Sequence, residues 1–394
     1  MTIRTKCEIC NGILNNIYKL ENVPVNLSCI EFENDCFFDT LSFSQCLTCN
    51  TIQLDKLIPL NILYETSHNY SSVGKIWENY FILLIKKIQS IIAPLNNSNW
   101  TSTQDIQGLQ LPINKTVLEI GCPSGKIALN CYDYEKWYIV EPNKNNKIVF
   151  NDKIFFIESF FNENLTIDKP IDLIVHSHVF EHIYEPNKFL KKCYELLTEN
   201  GVMVFGIPNM QHLAENSLSL FLGMFFEHTI FLNKENVSYL MKKNGFAILE
   251  IIDYENHSTI YHVKKVRVET INIIPVIKIT NYYDIFFNLI NEYKSFIEKC
   301  NKTISNNPTK DIYIFGASYN TQIILSFDFK PELLKGVLDN CKEKQNKYLY
   351  GSKLKIYSPE IVNNNTIVIL KNGYYVNEIC YQIQEINENV IIIS

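Results

Sequence analysis

The chain has 394 residues, 46 % of them hydrophobic, which is enough for buried cores and excludes a disordered polymer. Asp plus Glu number 42 against 36 for Lys plus Arg, a net charge of -6, and the only arginines are Arg4 and Arg267. Such a chain is poorly equipped to grip nucleic acid, where bidentate contacts favour Arg. Its length suggests two or three domains at ~100–200 residues each.

Residues 1–6 carry no apolar signal core, and the longest apolar helical stretch, 76–94, is interrupted by Glu78, Lys86, Lys87 and Gln89. The expected location is the cytoplasm, with no membrane contact. Twelve cysteines are then unlikely disulfides, and six of them fall within the first 49 residues. Cys7 and Cys10 form one C-x2-C pair, and Cys46 and Cys49 form another, 35 residues further on. A two-residue spacer turns both thiolates of a pair toward one ion, so two pairs predict a closed, structural four-sulfur Zn²⁺ site. Gly12 is expected at the turn after the first knuckle. Cys29 and Cys36 read as packing residues.

Residues 117–120 form an apolar run followed by a loop between Gly121 and Gly125, and 127–129 are expected to open a helix. A strand at 137–140 ends in Glu141, 20 residues after Gly121, about where an acid reaches ribose hydroxyls in nucleotide-binding sheets. Strands follow at 154–157, 172–175 and 202–205, with a helix over 186–197 between the last two. A helix over 235–243 is capped by Gly245, and strands at 246–251 and 259–263 complete the set. The alternation predicts a doubly wound α/β sheet with its ligand at the carboxyl ends of the strands. Further on, 281–305 reads as a long helix. A strand at 312–315 enters the turn Gly316-Ala317, with Ser318 expected to cap a helix. A second strand, 337–339, ends in Asp339. The dinucleotide pattern of three glycines is missing there, with Tyr319 and Asn320 in their place.

The segment Leu118-Glu119-Ile120-Gly121-Cys122-Pro123-Ser124-Gly125 resembles the cofactor loop of class I S-adenosylmethionine-dependent methyltransferases. His178-Val179-Phe180-Glu181-His182 with Glu185-Pro186 is similar to their segment after the fourth strand. More widely, Gln45 to Leu54, Tyr70-Ser71-Ser72, Phe225-Phe226-Glu227-His228 with Phe231, Gly316-Ala317-Ser318 and Leu338-Asp339-Asn340 resemble the bacterial sugar C-methyltransferases. Those enzymes join a zinc-binding module, a methyltransferase core and a Rossmann-like lobe. The resemblance implies a zinc module at 1–70, a methyltransferase domain at 71–265, and a helical linker with a Rossmann-like substrate lobe at 266–394. It implies that Glu119, Gly121 and Gly125 flank the methionine part of S-adenosylmethionine, that Glu141 holds its ribose and that Phe160 lies near its adenine. Pro123 stands where the family places a glycine.

The reaction implied is methylation of a carbon beside the ketone of a nucleotide-linked sugar, in polysaccharide biosynthesis. His228 would be the base, Glu227 would orient it or hold the sugar, and His182 would stabilise the enolate or cap the next helix. Tyr70 would contact the sugar or merely pack. Phe225 and Phe226 replace polar residues of the family pattern, which leaves two rivals standing. One is O-methylation of a nucleotide-linked sugar and the other is a non-catalytic sugar-nucleotide-binding protein. A monomer or weak dimer is expected.

Overall fold

The computed structural model describes residues 2–26, 29–31, 36–63, 74–93, 115–143, 151–216, 224–267, 280–327, 329–371 and 375–394. Near the N-terminus three antiparallel strands, β1 (Leu14–Pro24), β2 (Phe38–Cys46) and β3 (Ile52–Leu54), form one small sheet in the order β1-β2-β3. The first helix, α1 (Lys75–Ile92), buries Tyr80, Leu84, Ile88 and Ile92. Their four-residue spacing puts one apolar stripe against a sheet face.

That sheet contains seven strands: β4 (Lys115–Ile120), β5 (Tyr134–Val140), β6 (Ile154–Ile157), β7 (Ile171–Ser177), β8 (Leu197–Pro208), β9 (Phe246–Tyr254) and β10 (Ser258–Lys265). Their order is β9-β10-β8-β7-β4-β5-β6. The five strands from β8 to β6 run parallel. The hairpin β9–β10 adds antiparallel to β8 through Val204↔His262 and its neighbours. Chain order reverses between β4 and β7, which opens a crevice at the carboxyl ends of those two strands. One face is covered by α1, whose Tyr80 and Leu84 pack with Val117, Trp137, Ile139 and Val204. The other face is covered by α2 (Pro186–Leu196) and α3 (Lys234–Lys243).

The crossover from β4 to β5 departs from expectation. Residues 127–129 do not begin an α-helix; Ala128–Asn130 make a single 3-10 turn. Only about thirteen residues separate Gly121 from β5, and Ile127 and Ala128 are drawn down into the core under α1. The glycine loop therefore has no long helix dipole behind it. The strand after α2 also begins earlier than expected: Gly201 lies inside β8 rather than before it.

The C-terminal lobe is a second α/β unit. After α4 (Tyr283–Ser305) come β11 (Asp311–Phe315), α5 (Tyr319–Ser326), β12 (Gly336–Leu338), β13 (Ile356–Tyr357), β14 (Thr366–Leu370), α6 (Val376–Ile386) and β15 (Ile391–Ile393). The strands form one parallel sheet, β13-β12-β11-β14-β15. Ser318 precedes α5 but makes no side-chain cap. Cys29 faces Leu349 across a short bridge, and Cys36 Sγ accepts the Gly351 N–H at 3.2 Å. Both cysteines thus seat the N-terminal module on this lobe, away from the four knuckle cysteines. No helix among the described residues is long and apolar enough to cross a membrane.

Candidate active site

The site is built from the ends of β4, β5 and β7 and from the turn that follows residue 224. At the end of β4, Gly121 has φ +68°, a conformation that costs a residue with a Cβ. A Cβ placed there would lie 2.6 Å from Val179 Cγ2 and 4.0 Å from Glu141 Oε2. The first glycine of the loop, the acid of the second strand and the segment after the fourth therefore meet at one point. Glu141 Oε2 accepts the Cys122 N–H at 3.4 Å and Oε1 accepts the Asn143 N–H at 2.9 Å. Burial pushes its carboxyl above the usual range, and these two donors oppose the shift.

Glu119 lies beneath the loop rather than on its surface. It is wholly buried and accepts the Trp137 Nε1–H at 2.8 Å. Burial pushes its carboxyl up to about 7 against the bonds from Cys122 and Trp137. Gly125 also lies at positive φ, +57°. Phe160 follows β6 and is exposed. Tyr70 lies outside the described residues.

Beyond β7 the chain turns through His178 at φ +53° and makes one 3-10 turn, Phe180–His182. A second tight turn spans 225–228, closed by the His228 N–H on the Phe225 carbonyl at 2.9 Å. The two turns carry matching Glu-His pairs, Glu181-His182 and Glu227-His228, and the fold brings them face to face. His228 Nε2 lies 3.3 Å from His182 Nε2, with the rings near perpendicular. Glu227 Oε2 lies 3.4 Å from His182 Nδ1. Glu227 is thus placed on His182, the histidine of the other turn. His182 does not cap the next helix, whose cap position is Glu185.

Glu181 is 2 % exposed and its Oε1 lies 3.2 Å from His178 Nδ1. Burial alone would raise its carboxyl, but His178, then His182 and His228, outweigh burial and hold it at about 2. His178 Nε2 in turn lies 3.1 Å from Ser258 Oγ. Phe225 and Phe226 are buried, and Phe225 packs on Tyr319 of the C-terminal lobe, ring centres 5.6 Å apart.

Two residues outside the sequence expectations hold the turns in place. Arg4, 6 % exposed, donates to the Leu54 and Thr229 carbonyls, both at 3.2 Å, and to the Tyr184 carbonyl. One guanidinium therefore ties the His182 turn to the His228 turn. Strand β3 continues the tie, since the Leu54 N–H donates to Thr229 O at 2.8 Å and the Phe231 N–H to Ile52 O at 3.0 Å. Gln53, between them, donates from Nε2 to Cys7 Sγ at 2.7 Å. A buried arginine in a chain with two was the only signal for this in sequence.

The four knuckle cysteines converge. Cys7 and Cys49 Sγ are 3.6 Å apart, Cys10 and Cys46 Sγ are 3.4 Å apart, and all four lie within 4.8 Å of one another. Backbone N–H groups of Ile9, Thr48 and Cys49 point at Cys7 and Cys46 Sγ. Each knuckle closes with an asparagine in the left-handed region, Asn11 at φ 65° and Asn50 at φ 66°. The turn residue is therefore Asn11 rather than Gly12. Gly12 serves close approach instead: a Cβ there would lie 2.9 Å from Cys46 Sγ.

In the C-terminal lobe, Asp339 accepts the Ala317 N–H and the Cys341 N–H, both at 2.8 Å, and Lys344 Nζ lies 3.5 Å away. The acid that would take a ribose in a dinucleotide site is engaged by its own loop.

Residues 83–251 match the model of a methyltransferase domain, and residues 264–391 match that of a C-methyltransferase C-terminal domain. No curated protein matches the chain. Solved structures similar to part of it include an S-adenosylmethionine-dependent methyltransferase of Clostridium acetobutylicum ATCC 824. It is 17 % identical over 39 % of this chain and 85 % of its own, with a TM-score of 0.32. Another is the N-methyltransferase NodS of Bradyrhizobium japonicum WM9, in complex with S-adenosyl-L-homocysteine. It is 11 % identical over 49 % of this chain and 89 % of its own, with a TM-score of 0.33. The strand order, the glycine crevice and the two family matches define a class I methyltransferase. The two family matches make the chain an enzyme, a methyltransferase.

Proposed function

We propose that this methyltransferase acts on carbon, beside the ketone of a nucleotide-linked sugar. The observation that carries the reading is the Glu227–His182–His228 line, in which a buried carboxylate faces one imidazole and that imidazole faces a second. The description of the 264–391 match, a C-methyltransferase C-terminal domain, supports carbon as acceptor. S-adenosylmethionine supplies an electrophilic methyl group when bound. Gly121, Gly125 and Glu141 would hold it, with Glu119 fixing the loop from below and Phe160 beside the base. The cradle that a Cβ at Gly121 would fill fits that role.

Carbon is a poor nucleophile until its α proton is removed and the enolate oxygen is stabilised. His228 takes that proton on Nδ1, its Nε2–H being donated to His182. Glu227 holds His182 with a proton on Nδ1, which leaves His182 Nε2 as the acceptor facing His228. Charge arriving on His228 is thus shared with a ring that a carboxylate already stabilises, the same logic as a serine-protease triad. Tyr70 would reach the sugar from the linker. The four-cysteine cluster is closed and sulfur-only, so Zn²⁺ there would be structural. The C-terminal lobe, with Asp339 engaged, serves as a wall for the nucleotide diphosphate rather than as a second cofactor site.

The test is proton exchange in D₂O with S-adenosylhomocysteine and a nucleotide-linked keto sugar. Deuterium should enter at the carbon beside the ketone with His228 present and not in His228→Ala. Methylated product without loss of that proton would instead mean transfer to oxygen. No methyl transfer and no cofactor binding would refute the enzyme reading.

A further inference from the structure

The same two turns hold a second feature that proton transfer does not require. Glu181, His182 and His228 each offer a ligand atom, and these atoms lie within 4.8 Å of one another. Two imidazole nitrogens bound to one ion at ~2.0–2.1 Å are about 2.9 Å apart at a right angle and about 3.4 Å apart at a tetrahedral angle. The observed separation of 3.3 Å falls in that span. A ligating histidine commonly donates its other N–H to a carboxylate, which fixes ring and tautomer. Glu227 stands in that position toward His182 Nδ1.

An independent observation is Glu181 itself. Apart from its ion pair with His178, neither oxygen receives a hydrogen bond from the described residues, though the side chain is nearly inaccessible to water. Two buried carboxylates, Glu181 and Glu227, thus lie among three imidazoles, those of His178, His182 and His228, and where the rings are neutral a divalent cation would balance the carboxylates' charge. The donor set is nitrogen and oxygen, which suits ions such as Zn²⁺, Co²⁺ or Ni²⁺ and differs from the sulfur set at the cysteine cluster.

We propose that Glu181, His182 and His228 form a second metal site, for a divalent transition ion, whose occupation silences methyl transfer. The ion would take Nε2 of both rings and leave the His228 proton on Nδ1, so neither nitrogen of His228 could accept a substrate proton. The silencing rests on His228 being the base; the binding does not.

The experiment titrates Co²⁺ into the full-length protein with zinc held at the cysteine cluster and follows the visible absorption. One additional Co²⁺ per chain should bind, with weak ligand-field bands and none of the intense sulfur-to-metal absorption of a cysteine site. His182→Ala and His228→Ala should abolish these bands, and Glu181→Gln should weaken binding at least tenfold. Selective paramagnetic broadening of the His182 and His228 ring signals in the wild-type protein gives the same answer without a variant. Absence of a second Co²⁺, or binding that ignores all three substitutions and leaves both rings sharp, overturns the site. In the activity arm, Zn²⁺ should slow methyl transfer, and a chelator too weak to strip the cysteine cluster should restore it. Activation by the metal would overturn the silencing. A protein that binds Co²⁺ at these residues yet methylates no acceptor would keep the site and lose the proposed function.

Discussion

At the scale of single residues, Glu119 and Glu181 show how burial and partners pull the same group in opposite directions. No cation among the described residues offsets the burial of Glu119, so its carboxyl is raised to about 7. The folded chain then holds a proton that the unfolded chain releases near ~4.3. Stability from this group is full below that value and is lost as pH rises through about 7. Glu119→Gln cannot ionise and keeps an oxygen for the Trp137 N–H. Between pH 4.5 and 7.5 the cofactor-free wild type should therefore lose stability relative to this variant, by a few kcal/mol at ~1.4 kcal/mol per unit. Thermal melts across that range measure it. His228 is argued from contact rather than burial: His228→Ala should lower turnover ~10²–10⁴-fold while cofactor affinity by calorimetry stays constant. Sequence marked both Glu-His pairs as chemistry. That Glu227 serves the other pair's histidine could not be read from order along the chain, because two turns 46 residues apart set the partner.

At the scale of elements, the glycine loop was legible because positive φ at Gly121 and Gly125 leaves a compositional trace in a glycine-poor chain. The 3-10 turn behind it was not. Apolar Ile127 and Ala128 look alike whether they begin a helix or plug a core, and only the position of α1 above them decides. Gly121→Ala should combine strain at φ +68° with a close approach to Val179. The expected result is about 1–3 kcal/mol of lost stability and at least tenfold weaker S-adenosylmethionine binding, read by melting and calorimetry. The asparagines closing the two knuckles are a signal that sequence offered plainly, Cys10-Asn11 and Cys49-Asn50, since Asn tolerates the left-handed region better than most residues.

At the scale of the whole molecule, the cysteine module and the active site are mechanically joined. Cys7 leads to Gln53, β3 to Thr229 and Phe231, and Arg4 to both Glu-His turns. Cys46→Ser should reduce bound zinc below one per chain, measured by metal analysis, and should lower turnover through the link from Cys7 and Gln53 to the His228 turn. Arg4→Met tests the link without disturbing the metal. Zinc content should remain, while turnover drops at least tenfold and the melting temperature falls, because the Leu54, Thr229 and Tyr184 carbonyls lose a buried donor. A variant with normal turnover would show that β3 alone positions His228.

The sequence by itself determined the local features of this protein. These are the two C-x2-C knuckles, the strand–glycine–strand–acid unit, the alternation that makes a doubly wound sheet, and the two Glu-His dipeptides. Each depends on residues near one another in the chain, where spacing and backbone preference leave a readable pattern. Tertiary structure alone decided that Glu227 faces His182, that Arg4 is buried between the two Glu-His turns, and that Asp339 is engaged within its own lobe. Those facts depend on packing between distant segments, and a side chain's partner across a fold is fixed by shape and burial rather than by its neighbours in sequence.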